Sequence, residues 1–118
     1  MPADPQHLVD ILVAARLILT YVSGKTQETF LADPQCQDAV IRRLEIIGEA
    51  SRRVSPETRA RFPELDWKDL IAMRNFMIHE YDEVDLTLVW DTIQNQVPRI
   101  IRLIEPWFPL AADPNRKT

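Results

Sequence analysis

Glycine is the first scarcity: two residues in 118, Gly24 and Gly48, leave little provision for the tight turns of a many-stranded sheet. A single cysteine, Cys36, excludes an internal disulfide, and no cysteine–histidine cluster of zinc-binding spacing exists. A reducing compartment suits such a chain. Long hydrophobic runs are also missing, because Asp10 and Arg16 interrupt the best one. Nor does the N-terminus show a basic segment leading into an uncharged apolar stretch with a small-residue cleavage site. We expect a cytoplasmic protein with no membrane span. Net positive charge is lacking too: at −4 overall, the chain as a whole has no basis for broad, non-specific affinity for nucleic acid.

What is present points to helices. Hydrophobic residues at 46% and charged residues at 27% describe a globular chain rather than a disordered one. The length suits one domain with a core of its own, placed at residues 1–110, with a mobile tail over 111–118. Asp4 as cap and Pro5 in the first turn open a helix carrying Leu8, Ile11, Leu12, Ala15, Ile18, Leu19 and Val22 at helical spacing, ended by Gly24. His7 and Tyr21 on it read as packing or surface residues. Thr26 caps a short turn, Gln27 to Leu31, anchored by Phe30.

Asp33-Pro34 starts a second long helix to about Val54, with Val40, Leu44, Ile47 and Ala50 inward. Gly48 within it costs about 1 kcal/mol of helix propensity relative to alanine, which a close helix crossing would offset. Ser55-Pro56-Glu57 opens a short turn, Phe62-Pro63 breaks it, and Asp66 caps the helix leading to residue 74. Asp85 caps the last helix, where Leu86, Trp90, Ile93, Val97, Ile100 and Ile104 form a packed seam, with Pro98 expected to kink it or shift its register. Four long helices with short connections predict an all-α antiparallel four-helix bundle with short extra helical turns.

Most of the chemistry lies in Met73-Arg74-Asn75-Phe76-Met77-Ile78-His79-Glu80-Tyr81. Arginine is a fixed cation whose planar fork suits phosphate, and histidine both takes and gives a proton near neutrality. On an ideal helix Asn75 and His79, four apart, share a face, whereas Arg74 and His79 stand about 140° apart. Arg74 falls on the apolar stripe of Trp67, Leu70, Ile71 and Ile78, where a charge needs a partner. Either the helix ends near His79 or a second copy of the chain completes the site. An arginine and a histidine at a helix end also fit a purely structural role as salt bridge and cap. Glu49 has two readings: a surface partner for Arg53 at i+4, or a buried partner for Arg74.

Charge is unevenly distributed. Between Arg42 and Arg61 six arginines face Glu45, Glu49 and Glu57, whereas from Glu80 to Asp91 there are five acids and no base. Such runs are either solvated helix faces or, respectively, a phosphate-tracking surface and a dock for a basic partner.

The string Arg74-Asn75-x-x-x-His79-x-Tyr81 resembles the signature of the HEPN superfamily, in particular its HepT-like branch. The resemblance extends through Phe30-Leu31-x-Asp33, Gln37-Asp38-Ala39-Val40, Leu44-Glu45-Ile46-Ile47-Gly48-Glu49-Ala50, Trp67-x-x-Leu70-Ile71-x-Met73, Val84-Asp85 and Val89-Trp90. Asp82 departs from it, standing where such proteins more often carry an apolar or aromatic residue. The resemblance implies a HEPN-like bundle paired as a two-fold dimer across a cleft. It also implies the toxin half of a toxin–antitoxin pair, an endoribonuclease whose partner is a nucleotidyltransferase antitoxin. Arg74, His79 and Asn75 would be catalytic and Tyr81 the acceptor on which the antitoxin places AMP; Glu49 and Arg53, by their own spacing rather than by the resemblance, would be supporting. Metal and cofactor have no part in this reading: two copies of His79 act as base and acid while Arg74 stabilises the phosphate. The alternative is a non-catalytic helical module that binds a nucleotidyltransferase.

Overall fold

A computed structural model of the chain describes residues 3–75 and 84–108. The order is α1 (Asp4–Val22), α2 (Gln27–Leu31), α3 (Pro34–Arg53), α4 (Pro56–Arg59), α5 (Trp67–Ala72) and α6 (Leu86–Ile104), closed by a 3-10 turn, Glu105–Trp107. No strand occurs among the described residues. The protein has the all-α, HEPN-like architecture expected, with one difference in proportion. Among the described residues three helices are long, of 19, 20 and 19 residues, whereas α5 has six.

Local chemistry explains most boundaries. Thr26 and Thr29 form a reciprocal capping box at α2, and the side chains of Asp33, Ser55, Asp66 and Asp85 accept from the backbone N–H three residues on. Gly24, at φ +77°, turns the chain after α1. The expectation for Asp4 was wrong. Ala3 is the N-cap of α1 and makes no side-chain bond, while Asp4 is buried against the start of α4. Ser55 Oγ and Thr58 Oγ1 donate to Asp4 Oδ2 at 2.5 and 2.6 Å, and the Ser55 backbone N–H donates to Oδ1 at 3.2 Å.

That bond joins the first turn of α1 to the chain just beyond α3. At the other end Arg43 Nε donates to Tyr21 Oη at 3.3 Å, so the two helices run antiparallel. Helix α6 lies against both α1 and α2: Phe30 meets Trp90 at 5.3 Å between ring centroids, and Arg16 is ion-paired with Glu105. Between them Leu8, Ile11, Leu12, Ile18, Phe30, Val40, Leu44, Ile47, Leu70, Ile93, Val97 and Ile100 make one continuous core. By length and mean hydropathy α1 could cross a membrane, and here its apolar side chains pack into that core. The expected seam of α6 holds from Ile93 onward, but at its start Val89 and Thr92 are buried while Leu86 and Trp90 are half-buried. Pro98 sits on the exposed face, and α6 runs through it as a single element.

Candidate active site

Arg74 reaches its position because α5 ends early. Met73 N–H donates to Leu70 O at 3.1 Å and Arg74 N–H to Ile71 O at 3.4 Å, three-residue spacings that tighten the last turn after Ala72. The helix therefore closes two residues before Arg74 rather than near His79, and Asn75 is again helical and exposed. This tightened turn lies directly on α3 at Gly48. A Cβ built on Gly48 would stand 2.6 Å from Arg74 N, 2.9 Å from Arg74 Cβ and 2.9 Å from Ile71 O. The close crossing anticipated for Gly48 is thus present, and its partner is the backbone that carries Arg74.

Beside Gly48, Glu49 accepts from Arg74 Nη1 at 2.9 Å through Oε1 and from Arg52 Nη2 at 3.1 Å through Oε2. Of the two readings of Glu49, the pairing with Arg74 is the one present, half-buried rather than buried, with side-chain exposures of 33% for Arg74 and 39% for Glu49. Arg53 does not pair with Glu49: it is the exposed last residue of α3, and the ion pair within the helix is made at i+3, by Arg52. Arg52 is the residue the sequence reading passed over, although its three-residue spacing from Glu49 was the signal. The hydrogen bond from Arg52, then the nearby charges of Arg52, Arg74 and Arg53, hold the Glu49 carboxyl below the usual carboxylate range. It stays ionised at neutral pH and neutralises one of the two guanidiniums.

A second layer holds the end of α3. Arg59 Nη2 donates to the carbonyls of Ser51 and Arg52, both at 3.2 Å, a cation on the last turn of a helix. Its guanidinium also lies 5.8 Å from the centroid of Trp67, whose ring stands edge-on to Phe62. The six-arginine stretch is therefore not one free surface: Arg59 and Arg43 are engaged in structure, while Arg42, Arg53 and Arg61 are exposed. His79, Tyr81 and the acids Glu80, Asp82 and Glu83 lie outside the described residues.

Residues 11–106 match the family described as ribonuclease HepT-like. The chain belongs to that family. A HepT-like relative of Thermococcus cleftensis, named as a probable ribonuclease HepT, is 38% identical over 94 residues, spanning 80% of this chain and 86% of its own. One from Methanocaldococcus jannaschii, named provisionally as an RNase, is 37% identical over 98 residues, 83% of this chain and 90% of its own. Another from Caldanaerobacter subterraneus, likewise provisionally an RNase, is 33% identical over 105 residues, 89% and 94%. No solved structure matches the chain significantly.

Proposed function

We propose that the protein is an endoribonuclease and the toxin of a toxin–antitoxin pair, acting in the cytoplasm as a two-fold dimer. The observation that carries this reading is the Arg74 guanidinium held on Glu49, in a HepT-like chain, with some of its donors unused among the described residues. One hydrogen bond to Glu49 leaves the guanidinium further N–H groups for a phosphate oxygen. His79 takes the proton from an RNA 2′-hydroxyl or protonates the leaving 5′-oxygen, each copy in the dimer filling one role. Arg74 stabilises charge growing on the phosphate, and Asn75 orients the imidazole or donates to the phosphate. The products are a 2′,3′-cyclic phosphate and a 5′-hydroxyl, so DNA, lacking the nucleophile, is not cut.

Tyr81, two residues beyond His79, is the proposed acceptor of AMP from a nucleotidyltransferase antitoxin. Added phosphates would repel an RNA backbone and fill the cleft. Single-turnover cleavage of a labelled RNA tests the first part: His79→Ala should lose activity by at least about a hundredfold, the usual contribution of a general acid or base, with unchanged helicity. Retained cleavage would remove His79 from the mechanism. Intact mass after incubation with the antitoxin and ATP tests the second, and adenylyl mass persisting on Tyr81→Phe would refute the acceptor assignment.

A further inference from the structure

Two guanidiniums share one carboxylate at Glu49, and the unassigned one is the more exposed. The side chain of Arg52 is 50% accessible against 33% for Arg74, so the group opens outward from Arg74 through Glu49 to Arg52. Each guanidinium has five N–H donors, and one hydrogen bond from each reaches Glu49. The separation of the two cations is set by the width of a carboxylate and two hydrogen bonds, which keeps them within reach of consecutive phosphates on one strand. Two free guanidiniums so close would repel each other, and Glu49 leaves the trio with a net charge of +1. Its neighbours do not offer the same geometry. Arg59 is committed to the α3 carbonyls, and Arg53 is turned about 100° further round the helix.

We propose that Arg52 binds a second RNA phosphate, next to the one bound by Arg74, and that Glu49 is the positioning residue that fixes their spacing. The proposal rests on the ribonuclease reading, which gives Arg74 the phosphate at the cleavage point. It makes the enzyme a reader of strand length: a substrate with one phosphate fills only half of the cradle.

Binding of an uncleavable 2′-O-methyl RNA hexamer, measured against salt concentration, tests the cradle independently of cleavage. Arg52→Gln should reduce the slope of log affinity on log salt by about 0.7, the value of one phosphate contact on a single strand. Arg102→Gln, the same charge change on the exposed face of α6, should not. Equal slopes for wild type and Arg52→Gln would overturn the proposal. Arg52→Lys, which keeps the charge and the fold, should retain the slope and lose affinity if the fork geometry matters, and unchanged affinity would count against it. In cleavage, Arg52→Gln should lower kcat/KM severalfold more on an RNA hexamer than on a dinucleoside monophosphate.

Glu49→Gln gives a test by sign. It makes the protein one charge more positive, so a carboxylate that only repels RNA would, on removal, leave kcat unchanged and tighten binding. A positioning carboxylate, once removed, lets the guanidiniums part and lowers kcat. If wild type cleaves neither substrate while the slope still drops for Arg52→Gln, the ribonuclease reading fails and only the phosphate contact of Arg52 stands.

Discussion

Gly48 shows how one missing methyl group positions a functional side chain. Alanine at this place would gain about 1 kcal/mol of helix propensity. Its Cβ would, however, meet backbone rather than a yielding side chain, at 2.6 Å from Arg74 N and 2.9 Å from Ile71 O. Overpacking of this kind costs about 1–3 kcal/mol, which matches or exceeds the propensity. Gly48→Ala should therefore destabilise the protein by up to about 2 kcal/mol in urea unfolding, by difference of those terms. It should also reduce cleavage more than stability alone explains, because α5 must retreat and carry Arg74 off Glu49. A variant as stable and active as wild type would show that the crossing does not set the site. From the chain alone a lone glycine amid Leu44, Ile47 and Ala50 announces a crossing, yet nothing local says which segment crosses there. Glu49 poses the same problem, since Arg52, Arg53 and Arg74 are all chemically suitable partners and only tertiary packing brings Arg74 to it.

At the scale of elements, the ends of helices were the most legible feature and also supplied the clearest error. Thr26, Asp33, Asp66 and Asp85 cap as expected, and Ser55 caps α4 in the same way, because a cap needs only a side chain and a backbone N–H three residues away. Asp4 fits the same pattern but is taken by Ser55 and Thr58, more than fifty residues distant. The Ser55 hydroxyl first, then that of Thr58, lower the Asp4 pKa from 3.8 to about 2. The folded value lies below the unfolded one, so the stabilisation is complete above the unfolded value of 3.8 and is lost as pH falls from there through about 2. The melting temperature of wild type should drop more steeply over that interval than that of Asp4→Asn, which has no carboxylate to protonate. Parallel curves would mean that the Asp4 bonds contribute no pH dependence. The early close of α5 was not legible, because Trp67 to Ile78 keeps an unbroken helical spacing of apolar residues and only the contact with Gly48 rewards the tighter turn.

For the whole molecule, the fold class was readable from scarce glycine and strong helical periodicity, while the second subunit that the mechanism needs leaves no such mark. A site using one His79 from each protomer makes a quantitative demand on mixtures. With subunits exchanged at random between equal amounts of wild type and His79→Ala, only doubly wild-type dimers would work, so activity should fall to about a quarter; independent sites would leave about half. Retention of half the activity would place both proton transfers within a single chain.

The long reach of Asp4 also bears on how the chain is born. Its carboxylate emerges from the ribosome well ahead of Ser55 and Thr58, and at 5–20 residues per second its partners follow after roughly 3–10 s. For most of that interval α1, apolar enough to suit a bilayer, lacks a complete α3, and throughout it has no α6 to cover it. Chaperones and the targeting machinery that survey nascent apolar helices therefore have several seconds in which to compete with the bundle for its first helix.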